Sequence, residues 1–312
     1  MRCREIEQLT VTFVTDNYCD TVRRDAPIGK IFRTAPGRAI QAEHGLSYVI
    51  ETIAEGVPGM FMFDFGVSQQ TIVNNLSLLG INVASMEALC LSHGHFDHWG
   101  GLAGFLKAYL QEMPAGTPLY VGEEAFAQRF SRRPSDEDLH DLGSLDREAI
   151  EGLKKIAIID VKDPVEIILG ACLTGKIERT TPYEKVAPTL FVMREGSIQE
   201  DDFRGELAVV CNVKGKGLVV ISGCAHVGII NTVRHAQKMT GIDRVHAVIG
   251  GFHLVNTEPA IIEKTIADIK AIGPDYIIPT HCTGFEAIVS FAQVMPEQFI
   301  LNTAGARYTF SS

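Results

Sequence analysis

Apolar and polar residues alternate with period two along "LTVTFVT" (9–15), which predicts a strand. "LSYVIET" (46–52) and "GMFMFDFG" (59–66) flank the turn-rich "AEGVPG" and read as two paired strands, while the polar stretch 20–40 reads as a loop. In "SQQTIVNNLSLLGI" (68–81), Ile72, Val73, Leu76 and Leu79 fall at helical spacing. A short strand, "ALCLS" (88–92), and a glycine-led helix, "GGLAGFLKAYLQEM", come next. "PLYVGEEAFAQRF" (118–130) reads as a strand then a helix. "SRRPSDEDLHDLGSLDREAIEGLKK" (131–155) is charged and helix-prone: a solvated insertion, with a substrate-contacting lid as the alternative. Two or more strands follow within 156–193.

The second half repeats the theme. "ELAVVCNV" (206–213) and "LVVISGCAH" (218–226) form a hairpin across "KGKG", and "IINTVRHAQKMTG" is a helix closed by Gly241. "VHAVIGGFHL" is a strand, "PAIIEKTIADIKAIG" a helix, "YIIPTHCTG" a strand ending in His281, and residues 280–293 open a last helix. Both halves end strands in histidine-bearing turns, which suggests a duplicated layout. The expectation is a single domain over 1–312 with a polar helical insertion at about 123–155.

One run changes the picture from fold to chemistry. "LSHGHFDHWGG" (91–101) sets His93, His95, Asp97 and His98 at the carboxyl end of a strand and in front of a helix, where α/β sheets place their sites. A lone histidine is most simply a satisfied core or surface residue; this density is not. Histidines at i and i+2 of an extended turn can point to one metal, and Asp97 with His98 can turn to a second. Imidazole with carboxylate suits zinc, iron or manganese rather than calcium or magnesium. Gly94, Gly100 and Gly101 permit the tight backbone.

Four adjacent side chains cannot surround two ions, so further ligands must come from elsewhere. His226 in "ISGCAHVG" and His281 in "IPTHCTG" stand just after apolar strands and are the expected remainder. His253 in "IGGFHL" is a metal ligand, an orienting group or a substrate contact. Cys224 and Cys282 flank these histidines: a thiol beside cations ionises and can ligate, yet a small buried thiol is equally ordinary. Asp64, ending "FMFDF", either orients a ligand histidine or caps its turn. His44 in "EHGLS" enters a strand beside the core and is a candidate substrate contact, whereas His140, His235 and His246 read as non-ligating. Lys185, Arg179 and Arg204 are candidate phosphate holders, against a plainer reading as solvated charges.

Composition narrows the partners. With 46% hydrophobic and 21% charged residues the 312-residue chain is globular, and a formal net charge of −10 leaves no general nucleic-acid footprint. Seven scattered cysteines without a CxxC argue against a disulfide framework. No apolar run approaches membrane-spanning length and the start carries no apolar signal region, so a cytoplasmic protein with a small-molecule substrate is expected. A homo-oligomer is compatible with all of this.

"SHGHFDHWGGL" resembles the HxHxDH signature of the metallo-β-lactamase superfamily. The resemblance implies an α+β fold, a four-layer αβ/βα sandwich with a dinuclear metal site between its sheets. "AEHGLSYVIE", "ISGCAHVGIINT", "IGGFHL" and "PTHCTG" further resemble the branch of 7,8-dihydropterin-6-methyl-4-(β-D-ribofuranosyl)aminobenzene-5′-phosphate synthases. That branch implies phosphorylated substrates, a pterin diphosphate and an arylamine ribose phosphate. Three positions depart from the superfamily pattern. Its "GD" turn, whose aspartate bridges both metals, reads Gly223–Cys224 here; its "FDTG" reads "FDFG"; and Glu206 stands near the third-motif histidine.

The resulting expectation puts His93, His95 and His226 on one divalent ion and Asp97, His98 and His281 on another, with Asp97 also able to take a proton. Zinc leads, with manganese or iron as alternatives. The expected activity is metal-dependent hydrolysis or group transfer on a phosphorylated or diphosphate substrate. The alternative is an iron-containing redox or non-catalytic metal-binding protein of the same fold. Flavodiiron relatives carry a carboxylate where His95 stands, which disfavours the redox branch.

Overall fold

A computed structural model of the chain describes residues 1, 3–132 and 138–312. An eight-stranded sheet runs in the order Ile156–Val161, Thr117–Gly122, Ala88–Cys90, Val57–Phe63, Ser47–Ala54, Gln8–Thr15, Ala306–Ser311, Gly29–Ile31. A second sheet runs Val165–Ile168, Ala171–Leu173, Ala208–Val213, Gly217–Ser222, Val245–Gly251, Tyr276–Thr280, with Glu5–Ile6 paired parallel to Ala208–Val213.

Strand parity explains how the layers stack. Leu9, Val11 and Phe13 share one buried cluster with Val209, Cys211, Val219 and Ile221 of the second sheet, so the two sheets meet there. On the other face of the first sheet, Val49, Met62 and Leu89 pack on Ile72 and Leu76 of the helix Gln69–Leu79 and on Phe105 of the helix Leu102–Tyr109. The outer face of the second sheet, with Val210, Val220 and Val248, packs on the helices Ile229–Thr240, Pro259–Ile272 and Phe285–Val294. Helix, sheet, sheet, helix is the expected four-layer order, and it covers both sheets on both faces, hence their near-continuous apolar runs. Gly241 closes Ile229–Thr240 as read, in the left-handed region (φ 71°), and Ser68 caps Gln69–Leu79.

Two readings need correction. The helix expected within 118–130 does not form: Thr117–Gly122 is followed by a turn and the strand Arg129–Ser131. The stretch 131–155, read as helical, holds the strand His140–Gly143 and only a short helix, Arg147–Gly152; its residues 133–137 lie outside the described residues. Both strands join a small sheet ordered Ser197–Glu200, Leu190–Arg194, Arg129–Ser131, His140–Gly143. Pairing with a partner about sixty residues later overrides the local helical preference of this charged stretch. The final strand, Ala306–Ser311, was not anticipated; it lies antiparallel beside Gln8–Thr15. Among the described residues no helix is long and apolar enough to cross a membrane.

Candidate metal centre

The ligand run leaves the strand Ala88–Cys90 and folds at once into one helical turn, Phe96–Trp99, which brings Asp97 and His98 back toward His93. Asp64 anchors this turn from the neighbouring strand end. Its carboxylate accepts from the Ser92 backbone N–H and hydroxyl, both at 2.7 Å, and from His98 Nδ1 at 2.7 Å. The turn of the second sheet closes on the same point: a Cβ on Gly223 would stand 2.2 Å from Ser92 Oγ. From the small sheet comes Arg129, only 2% exposed. Its Nη1 donates to the Gly94 carbonyl at 3.3 Å while its Nε holds Asp201 at 2.8 Å. The region read as a solvated insertion thus supports the HxH turn from below.

Across the sheet interface the donors converge. His93 Nε2 faces His226 Nε2 at 3.2 Å; His98 Nε2 lies 3.1 Å from Cys224 Sγ; His281 Nε2 lies 3.2 Å from Asp97 Oδ2. Two sets of ligand atoms each fall within 4.8 Å of one another: Asp97, His98, Cys224 and His281, and His93, Cys224 and His226. Cys224 belongs to both. It occupies the place between the two sets, where the superfamily's aspartate is expected. His95 stands beside the second set, its ring centroid 4.8 Å from both His93 and His226, and its Nε2 has no hydrogen-bond partner among the described residues.

This donor set fits divalent cations. Nitrogens facing nitrogens at van der Waals contact, a buried thiol among them and an orphaned imidazole nitrogen are costly unless a cation accepts the lone pairs. Protonation follows the same logic. Burial, then the neighbouring imidazoles, holds His93 well below the usual histidine range, and His226 likewise; burial takes His95 down to about 3. All three therefore offer neutral nitrogens at neutral pH, as metal binding requires. His98 differs: burial opposes its charge, but Asp64 and Asp97 push it up to about 9. Burial also raises the Cys224 thiol well above its usual range, so cations are what would ionise it.

Several functional side chains gave no sequence signal. Asp16 and Asn17, just past the strand Gln8–Thr15, grip His281 from the far end of the chain. Asn17 Oδ1 accepts from His281 Nδ1 at 2.9 Å, Asn17 Nδ2 donates to the His281 carbonyl at 3.2 Å, and Asp16 Oδ1 accepts the His281 N–H at 3.2 Å. His281 needs that grip because its φ is 51°, a left-handed conformation that a β-carbon disfavours. Asp64, Ala225 and His253 also have positive φ, so backbone strain gathers around the donors. Phe203 stacks on His226 (centroids 3.8 Å apart) and meets His95 edge-on. Glu206, whose role the sequence left undecided, accepts the His226 and Val227 N–H groups at 2.8 Å each and so holds the "GCAH" turn.

The centre opens into a cavity of about 620 Å³ whose lining includes His44, His95, Asp97, Cys224, His226, His253 and His281. His44 is at the rim, 3.7 Å from Asp97 Oδ2, and His253 lies against His226 with ring centroids 4.1 Å apart. Cys282 also lines the cavity, with His253 and Cys224 as neighbours. The three cations considered for phosphate do not reach it. Arg179 donates to the Asp202 carbonyl, Arg204 pairs with the Asp202 carboxylate at 2.9 Å, and Lys185 is exposed outside the lining. His235 and His246 bond elsewhere, to Glu178 and Thr174 and to Asp275, and His140 lies on the small sheet.

Known proteins match this chain in sequence and in fold. Residues 42–178 match the model of the metallo-beta-lactamase superfamily. The 7,8-dihydropterin-6-methyl-4-(beta-D-ribofuranosyl)-aminobenzene-5′-phosphate synthase of Methanocaldococcus jannaschii is 34% identical over 264 residues, covering 83% of this chain and 87% of its own. An uncharacterised protein of the same organism is 27% identical over 254 residues, with 81% and 89% covered. Among solved structures, the metal-dependent hydrolase Tm1679 of the beta-lactamase superfamily superposes with a TM-score of 0.73 at 25% identity, covering 97% of this chain and all (100%) of that one. A diphosphatase of the PhnP family shares the fold, with a TM-score of 0.51 at 13% identity and 97% of each chain covered. With its four-layer order, its strand-end histidines and a relative of this identity and coverage, the chain belongs to the metallo-beta-lactamase superfamily.

Proposed function

We propose that this chain is a metal-dependent hydrolase or group-transfer enzyme that uses two divalent cations on a phosphorylated or diphosphate-bearing small molecule. The observation that carries the reading is the sharing of Cys224 between two donor sets at the floor of one cavity. His93, Cys224 and His226, with His95 alongside, would hold one ion; Asp97, His98, Cys224 and His281 would hold the other. Imidazole, thiolate and carboxylate donors together favour zinc. When bound, such a pair supplies Lewis-acid activation of water and neutralises charge on phosphoryl or carbonyl oxygens.

The chain's own groups do the rest. Asp64 holds the His98 ring through Nδ1, and Asn17 does the same for His281, so both Nε2 atoms stay aimed at Asp97 and Cys224. Asp97 faces the cavity and takes the proton lost by the attacking water or amine. Among the described residues no lysine or arginine lines the cavity, so the negative charge of a phosphoryl group rests on the centre itself. The methanogen synthase supports the group-transfer form, since its name specifies an arylamine 5′-phosphate product. In that form an arylamine nitrogen bonds to carbon as a diphosphate departs.

Elemental analysis of the purified protein, joined to a screen of phosphate esters, diphosphates and thioesters, tests the proposal. Two equivalents of a redox-silent metal are expected. His95→Ala and Asp97→Ala should lower activity beyond the roughly 10–100-fold that outer-sphere changes cost. Full metal content and full activity in both variants would sink the reading, and redox-active iron with no esterase or transferase activity would replace it.

A further inference from the structure

The last helix is apolar on two sides. Ala287 and Phe291 of Phe285–Val294 are buried with Met295 against the second sheet. A helix at a protein surface presents polar residues opposite its buried stripe. Here Phe285, Ile288, Val289 and Ala292, spaced i, i+3, i+4 and i+7, line the cavity above the metal centre instead. Phe285 is 76% exposed. Phe299 and Leu301 continue the same wall.

The cavity therefore has two unlike ends. Its donors gather at the floor, and one flank is a continuous apolar surface with no lysine or arginine among the described lining residues. A volume of about 620 Å³ is that of a small-molecule pocket. Ribosyl hydroxyls or a second phosphate laid on Ile288 and Val289 would lose their water without gaining a partner, which costs free energy. An aryl or alkyl body gains by the same removal from water.

We propose that the apolar face of the helix Phe285–Val294 is the subsite for an uncharged, apolar body of the substrate, adjoining the reacting group at the donor floor. The substrate class is thus a phosphate ester or diphosphate whose organic part carries an aryl or long-chain alkyl body, rather than a bare sugar phosphate. This rests on the hydrolase or group-transfer reading of the same centre, and its occupant is a substrate because the face is continuous with the donors.

The first test needs no chemistry: saturable binding of N-phenyl-1-naphthylamine, an uncharged fluorescent probe, to the metal-loaded protein. One equivalent should bind. Ile288→Asp should weaken binding tenfold or more at unchanged circular dichroism and metal content, with Val289→Asp as a second variant should the first misfold. No saturable binding, or equal binding by folded variants, overturns the subsite. So does a dimer that Ile288→Asp dissociates without any probe binding, because the face would then be an interface between copies. The second test compares KM for 1-naphthyl phosphate, n-octyl phosphate and ribose 5-phosphate. The first two should show KM values at least tenfold below the third, and Ile288→Asp should erase that advantage while kcat stays. A naphthyl-over-octyl preference assigns an aromatic body and the reverse an alkyl one; a preference for ribose 5-phosphate overturns the subsite. If no ester reacts while the probe still binds, the reaction reading fails and the subsite stands.

Discussion

His98 and His281 are two solutions to one problem. Both present Nε2 toward Asp97, at 3.9 and 3.2 Å, and both are held by a bond at Nδ1. For His98 the holder is a fully buried carboxylate, Asp64, inside the first sheet's own turn. For His281 it is an amide, Asn17, which reaches over from the opposite end of the chain. A carboxylate fixes the ring and also makes it basic, hence a His98 pushed up to about 9. An amide fixes orientation without adding charge, and the left-handed backbone of His281 takes extra support from Asp16. The difference teaches that one imidazole is held by charge and the other by shape.

The largest break in that comparison is the removal of what both sides share. Cys224→Ala should lose both ions together in a chelator titration, since Cys224 is the one donor common to both sets. Retention of two ions at wild-type affinity would make the thiol a bystander. Next comes Asp64→Asn, which converts the charged hold into the amide kind and should weaken ion binding roughly 10–100-fold. It also has a pH signature in metal-free protein. His98 is raised above its ordinary value, so the stability it contributes is present below about pH 6.5 and is lost as pH rises through about 9. On the order of 3 kcal/mol is at stake for a rise to about 9. Thermal melts across that window should slope downward in the wild type and flatten in Asp64→Asn; parallel curves would contradict the assignment. The smallest effect belongs to Asn17→Leu, which loses orientation but no charge. Isothermal titration should show about tenfold weaker binding at one of two sites. A larger loss there than in Asp64→Asn would invert the ranking of charge over shape.

What could be read early, and what could not, follows the range of the interactions. The run from His93 to His98 was readable because its four donors are adjacent in the chain. His226, His253 and His281 were readable because each ends an apolar strand. Asp16 and Asn17 carry no such mark: their hold on His281 spans 265 and 264 positions of the chain. Phe203 and Arg129 are equally ordinary in sequence, and each acquires its role through a tertiary contact, stacking on His226 or donating to the Gly94 carbonyl. The strand Arg129–Ser131 was misread as helix because its pairing partner is Leu190–Arg194, invisible to local periodicity.

By itself the sequence determined most of the period-two and period-3.6 segments and the identity of most candidate metal donors. Those properties are local: backbone geometry sets the repeat, and side-chain chemistry sets the donor. Tertiary structure alone decided which donors share Cys224, which group holds each histidine, and that the outer face of the last helix looks into the cavity. These depend on strand order, and strand order is settled by burying two sheets against each other, a free energy summed over the whole chain.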